Sequence, residues 1–379
     1  MIKVDIAPAL LAAYARKRRA QSSAAEEARA GQKKLGDALV IQPNAAFHPK
    51  TPATSPAASP SLPTTPQTRK TAPTTPHPQV DRVGLSPLTT LDTFVAEHMH
   101  AHWVRYDYQL PGYKNRPALG SATRATFDQR EALFLHANNM WSRVRYAKIF
   151  GDRLERFAAQ REAGEPMFLV TLVNRDHTVP RKVAADFNIA CVTGWVHHVL
   201  RGASYVGMVE AAYFSNLRLC DLYEHRYVSW HSHVLLWGIT EAEMIALCGE
   251  INGRHVTAVE GVPAAHYRVL QLEEIFGRCI YICKAPLDEY RVWARKREIF
   301  DRDTGEIFKC FSGRFSVKSR RMRPCDAVHM SSVFIEKYIN QLAFAAGEGR
   351  LVLREINADA LAEFNRWEAR QGYIKAKIK

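Results

Sequence analysis

His231 and His233 stand one residue apart in the segment Tyr227 to Gly238, YVSWHSHVLLWG. Side chains alternate along a β-strand, so both imidazoles would face one side, which is half of a metal site built from three residues. The apolar run Val234, Leu235, Leu236, Trp237 reads as a buried strand able to hold the rings rigidly. Glu210 lies in the preceding apolar segment, Tyr205 to Phe214 (YVGMVEAAYF). If the two segments pair antiparallel, its carboxylate comes beside the imidazoles. Two imidazoles and a carboxylate, with positions open to water and a phosphate oxygen, suit a divalent cation such as Mg²⁺ or Mn²⁺, whereas a structural zinc site closes with a fourth protein ligand. His197, His198 and His225 are alternative neighbours. A further pair, Tyr281 and Lys284 in YICK, is three apart and shares a helical face. A phenol and an ammonium beside a metal have the chemistry of a nucleophile and a charge stabiliser acting on a phosphodiester. Singly, each group also has a plain structural reading: packed strand histidines, an exposed strand carboxylate, an aromatic core contact with a surface lysine.

The elements that must position these groups are readable in outline. Charged and apolar residues alternate at helical spacing over 126–161, a β-rich run follows at Met167 to Asn174 (MFLVTLVN), and 184–200 reads as a helix. Segments 205–214 and 227–237 read as an antiparallel pair. Thr240 with Glu243 matches a capping box and starts a helix directly after the histidine strand. Strands are expected at 255–259 and 267–272, a helix over 273–285 ended by Pro286, two short strands within 307–317, a helix over 326–346, a strand at 351–356 and a closing helix from Ala358. The order implies an α+β fold, a largely antiparallel central sheet flanked by helices. Upstream, residues 1–40 are compatible with one or two amphipathic helices. Residues 41–90, dominated by Pro, Thr, Ser and Ala, have too few large apolar groups to offset ordering entropy and read as a disordered linker. A helical region is expected over 91–164, the main domain over 165–350, and a strand, helix and basic tail over 351–379.

Lys plus Arg outnumber Asp plus Glu by 52 to 38, a formal charge of +14 and a pI near 9.5, which favours a polyanionic partner, with nucleic acid leading. The basic residues cluster at Arg291, Arg295, Lys296 and Arg297, at Lys318, Arg320, Arg321 and Arg323, and in the final KAKIK. No apolar run is long enough to span a bilayer, and the apolar patch precedes the basic cluster at the N-terminus, the reverse of a secretory signal, so a cytoplasmic location is expected. The seven cysteines form no Cys-x-x-Cys pair and read as reduced, mostly buried thiols.

Together these segments resemble the HUH endonucleases, in particular the rolling-circle replication initiators of plasmids and phages. FLVTLV at 168–173 is similar to that family's first motif, HSHVLLWG to its His-hydrophobic-His motif, and YICK at 281–284 to its Tyr-x-x-Lys helix; Glu210 falls where many plasmid members carry a glutamate. The resemblance spans roughly residues 165–350. It implies a metal held by His231, His233 and Glu210, nucleophilic attack by Tyr281 on single-stranded DNA at a replication origin, a 5′-phosphotyrosyl intermediate, and Lys284 steadying charge. Two departures stand out. Ser232 replaces the hydrophobic residue between the histidines, and Ala285 occupies the place of a second tyrosine, so Tyr290 and Tyr338 are the next candidate nucleophiles. The sequence holds no Gly-x-x-x-x-Gly-Lys-Ser/Thr stretch, so unwinding is expected from a host helicase, with a host polymerase following. A relaxase or transposase of the same superfamily, a non-catalytic nucleic-acid-binding regulator, and a zinc hydrolase are the competing readings; the last lacks a His-Glu-x-x-His helix.

Overall fold

The computed structural model describes residues 88–109, 135–162, 164–217, 219, 224–300 and 305–378. The expected N-terminal helices and all of the expected linker except 88–90 lie outside them. The described chain runs through helices α1 (Leu91–Gln109) and α2 (Met140–Ala159), strand β1 (Met167–Pro180), helix α3 (Ala190–Val199), strands β2 (Ser204–Phe214) and β3 (Tyr227–Trp237), helix α4 (Glu241–Arg254), strand β4 (Ala265–Leu270) and helix α5 (Leu272–Ile282). Strands β5 (Asp288–Phe300) and β6 (Ile307–Arg321), helices α6 (Pro324–Ser332) and α7 (Ile339–Leu342), strand β7 (Ala343–Ala346) and helix α8 (Gly349–Ile378) complete it. The class is α+β, as expected. The strand order is β4-β1-β3-β2-β5-β6, with β7 also on β2. All pairings are antiparallel except β2 with β5, which makes the sheet mixed.

Strand β3 is central, buried along its whole length between β1 and β2. Burial on both faces explains the unbroken apolar run from Val234 to Trp237. Its histidine face meets α5, which packs on α2, while on its other face Trp230 stacks on Phe187 and meets Phe334 at a tilt. The capping box begins α4 as expected, with the Thr240 hydroxyl accepting from the Glu243 amide at 3.2 Å.

Several expectations are corrected. The segment 255–259 is not a strand: the Thr257 hydroxyl donates to the carbonyls of Val259 and Val262, at 2.7 and 3.0 Å, and so supports a tight loop. The helix expected over 126–161 begins, within the described residues, at Met140. The helix over 184–200 is a 3₁₀ turn at Arg181–Asp186 followed by α3. The helix over 326–346 is broken into α6, α7 and β7, because Ala343–Ala346 is needed at the edge of β2. The strand at 351–356 is part of α8, where Val352, Ile356 and Ala360 are buried at a spacing of four. The basic segment 291–297 belongs to β5, and β6 is one long strand in place of two short ones.

Gly207 on β2 lets the neighbouring layers close over the histidine strand. A Cβ there would lie 2.4 Å from Val234 Cγ1, 2.9 Å from the His233 carbonyl oxygen and 2.9 Å from Phe344 Cζ. Two of these neighbours belong to β3 itself. Gly207→Ala is therefore expected to destabilise the fold by about 1–3 kcal/mol, read as a lower urea midpoint with an unchanged slope; an unaltered midpoint would mean that β2 and β3 can spread without cost.

Candidate metal and tyrosine site

The register of the sheet builds the site. Glu210 pairs with His231, and Thr171 with His233, so β1, β2 and β3 each contribute a side chain to one face. His233 Nε2 lies 3.1 Å and His231 Nε2 3.9 Å from Glu210 Oε2, and the two imidazole rings are nearly perpendicular with centroids 5.0 Å apart. All three residues are buried, and among the described residues they are the group of His, Cys, Asp and Glu able to hold a metal ion, with ligand atoms within 4.8 Å of one another.

The opposite edge of each ring fixes its orientation. His231 Nδ1 is 3.1 Å from the Ser229 carbonyl oxygen, which can only accept, so that nitrogen carries the proton and Nε2 is left with its lone pair. His233 Nδ1 is 2.9 Å from the Thr171 hydroxyl. Burial, helped by His233 and Lys284 and opposed by Glu210, pushes His231 down to about 4, so the ring is neutral near pH 7. Glu210 Oε2 thus faces the His231 lone pair, and it lacks a well-formed hydrogen bond despite being buried. The His231 lone pair and Oε2, 3.9 Å apart, have no proton to share and repel each other, and a cation is what satisfies both. The donor set fits a divalent ion.

Glu210 is divided between two tasks. Its Oε1 is 3.3 Å from Lys284 Nζ, leaving Oε2 for the imidazole side. Burial alone would raise the carboxyl, but Lys284 and the neighbouring His233 and His231 imidazoles together hold it at about 2. Burial equally disfavours the Lys284 ammonium, yet Glu210 and the Tyr290 and Tyr281 phenols together outweigh that and raise it above the ordinary lysine range. The same ammonium donates to the Tyr281 hydroxyl at 2.5 Å and sits 3.8 Å from the centre of its ring. Tyr281 is 6.1 Å from His233, ring to ring. The YICK pair and the His-Glu group are therefore one cluster.

Of the other histidines, His197 bonds the Tyr205 hydroxyl at 2.6 Å, and neither it nor His198 nor His225 joins the cluster. Tyr290 on β5 packs against Phe214 and lies within electrostatic reach of Lys284, burial pushing its hydroxyl up to about 12. Tyr338 stacks instead on His136. Ser232 points to the opposite face, fully buried with no partner for its hydroxyl. Of the basic residues, Arg295, Lys296, Arg297 and Arg323 are exposed; Arg291 and Lys318 flank Trp293, Arg320 pairs with the buried Glu289, and Arg321 with Glu97 and Asp288.

Two supports come from helices outside the recognised motifs. His98 on α1 accepts from the Ala285 amide at 3.0 Å, its other nitrogen bonding the Phe94 carbonyl at 2.8 Å. Arg143 on α2 donates to the carbonyls of Cys283 and Lys284, both at 3.1 Å. Between them they fix the backbone that carries the Lys284 ammonium. Six described cysteines are free; Cys248, Cys279 and Cys283 are buried as expected, but Cys191 and Cys325 are exposed. No described helix is long and apolar enough to cross a membrane.

Burial lowers His98 to about 3 and His231 to about 4 from an ordinary 6.5. Between pH 6.5 and 4 the unfolded chain binds protons at these positions that the folded chain refuses, so stability falls as pH drops through that window. The Glu210 contribution is full above pH 4.5 and is lost as pH falls from there toward 2. In EDTA, the free energy of urea unfolding is expected to drop by roughly 2 kcal/mol per histidine between pH 6.5 and 5; a flat profile would show these imidazoles already charged in the fold. Against known proteins, the chain matches no family model, no curated sequence and no solved structure.

Proposed function

We propose that this chain is a metal-dependent endonuclease that nicks and rejoins single-stranded DNA through Tyr281, acting as a replication initiator of the HUH type that its motifs resemble. One observation carries the reading: Lys284 bridges the Tyr281 hydroxyl, at 2.5 Å, and the carboxylate of the His-Glu group, at 3.3 Å. Residues far apart in sequence thus unite a nucleophile, a cation and a metal-ligand set in one place. A packed strand and a surface lysine have no reason to meet in that way.

In the forward step the Tyr281 oxygen attacks phosphorus, the new P–O bond forms as the bond to the 3′-oxygen breaks, and the phenolic proton reaches the departing 3′-oxygen by way of solvent. The Lys284 ammonium, already on the phenol oxygen, stabilises negative charge there. A Mg²⁺ or Mn²⁺ ion held by Glu210, His231 and His233 would supply Lewis-acid polarisation of a non-bridging oxygen and a template for the phosphate. Rejoining reverses the sequence: the 3′-hydroxyl attacks the phosphotyrosine, and an aryl oxide leaves more readily than a sugar alkoxide. The basic residues of β5 and β6, Arg291 to Arg297 and Lys318 to Arg321, with Arg323 just beyond β6, supply phosphate contacts. Host helicase and polymerase, in the cytoplasm, would extend the freed 3′-end.

The test is incubation with single-stranded oligonucleotides spanning the element's own origin, in Mn²⁺ or EDTA, followed by denaturing gels and peptide mass mapping. A covalent adduct on Tyr281 is expected in Mn²⁺ alone. Tyr281→Phe should keep DNA binding and lose the adduct, and an adduct persisting on Tyr290 would move the nucleophile. His231→Ala and His233→Ala should lower cleavage by at least about 100-fold together with Mn²⁺ affinity by calorimetry. Binding without any adduct would favour the non-catalytic regulator.

A further inference from the structure

Strands β5 and β6 form a hairpin that leaves the body of the protein. Only Glu289 and Tyr290 of β5 pair with β2; among the described residues, everything beyond pairs with β6 alone. The base is anchored by Asn216, whose amide exchanges hydrogen bonds of 2.9 and 2.8 Å with the Val292 backbone, and by Val292 and Phe315 against the cluster of Leu217, Tyr227 and Val259. From Ala294 to Phe300 the strand is exposed throughout. At about 3.3 Å per residue this is an arm of roughly 20 Å.

Its chemistry changes along its length. Arg295, Lys296 and Arg297 are exposed along the shaft. At the far end Ile299 pairs with Phe308 and Phe300 with Ile307, and all four are exposed, by 42%, 48%, 60% and 63% respectively. Cross-strand partners share a face and successive pairs alternate, so these last two pairs, called the tip below, are apolar on both faces. One pair inward Glu298 meets Lys309 at 3.3 Å, and the connecting residues 301–306 read DRDTGE. A patch for docking a second copy would need only one apolar face. Large apolar groups on both faces of a narrow, cation-lined ribbon fit a slot whose two walls are apolar and whose rim is anionic, and an opened base step of duplex DNA is such a slot. A two-stranded ribbon also has the width a DNA groove admits.

We infer that the β5–β6 arm binds duplex DNA, its cations on the phosphates beside a groove and its tip wedged between base pairs so that the duplex kinks. This goes beyond the nicking reaction and stands without it, since it requires double-stranded DNA and no covalent step. The two parts of the arm separate affinity from shape.

The full chain would be titrated onto a 30-base-pair duplex carrying a dye at each end, with anisotropy reporting binding and energy transfer reporting the bend. Replacing Arg295, Lys296 and Arg297 together by Glu is expected to weaken duplex binding at least about tenfold and to flatten its salt dependence. Phe300→Ser with Ile307→Ser should leave affinity within about threefold while abolishing the rise in energy transfer. These positions lie outside the core, and circular dichroism checks that both variants remain folded. Duplex affinity indifferent to the triple charge reversal overturns the proposal. So does a duplex left straight by the unmodified protein. Sedimentation with vesicles of equal phosphatidylglycerol and phosphatidylcholine, or self-association by analytical ultracentrifugation, lost in the tip variant while duplex bending persists would equally overturn it by assigning the tip to lipid or to a second copy.

Discussion

The Glu210 carboxylate is the group on which the rest of the site depends. Buried and charged, it is tolerable only because Lys284 neutralises it and because His233 Nε2 approaches its second oxygen. Removing one partner of such a pair costs about 3–5 kcal/mol, since the survivor is left charged and dry. The pairing also sets the chemistry. Because Oε1 is committed to Lys284, only Oε2 is presented to the imidazoles, and the cation that holds the carboxylate is the same one that touches the Tyr281 oxygen. Charge balance in the core and charge stabilisation at the proposed nucleophile are one interaction.

That interaction is only as good as the placement of Lys284, which lies beyond the end of α5, where helix geometry no longer fixes the backbone. His98 and Arg143 take over, occupying the Ala285 amide and the carbonyls of Cys283 and Lys284, groups a helix terminus would otherwise leave unpaired. Arg143 is deeply buried and its charge is met by carbonyl dipoles and the nearby ring of Phe334, 5.1 Å away, with Glu210 favouring the charged form at longer range. Helices α1 and α2 therefore form part of the structure that aims the ammonium.

The site was largely legible in the sequence because its information is local. A His-x-His on an apolar strand, a carboxylate on the strand before it and YICK at the end of a helix, with Lys284 one residue past its cap where a helical position was expected, are each contained in a few residues, and an antiparallel pairing is enough to bring the first two together. His98 and Arg143 could not be read that way: their partners lie 187 and 140 residues away, and nothing in a helix sequence says which carbonyl or amide it will meet. The arm escaped for a different reason. Burial writes alternation into a strand, and β5 beyond Trp293 is exposed on both faces, so its residues are chosen for charge and carry no period. LVLREI at 351–356 shows the converse error: a short apolar run fits either period, and only the burial of Val352, Ile356 and Ala360 selects the helix.

The chain places arm and site in close succession. Three residues, Ala285 to Leu287, separate Lys284 from the first residue of β5. Any force on the arm would reach the lysine through them unless something intervened. Several restraints do. The Ala285 amide is held by His98, while Arg321 ties the arm's base to Asp288 and to Glu97 on α1. Glu289, fully buried, pairs with Arg320 across the hairpin. The helix that steadies the YICK turn thus also grips the root of the arm, so α1 is a common footing for both. An exposed ribbon can then bend against a ligand while the short contacts among Lys284, Tyr281 and Glu210 keep their lengths.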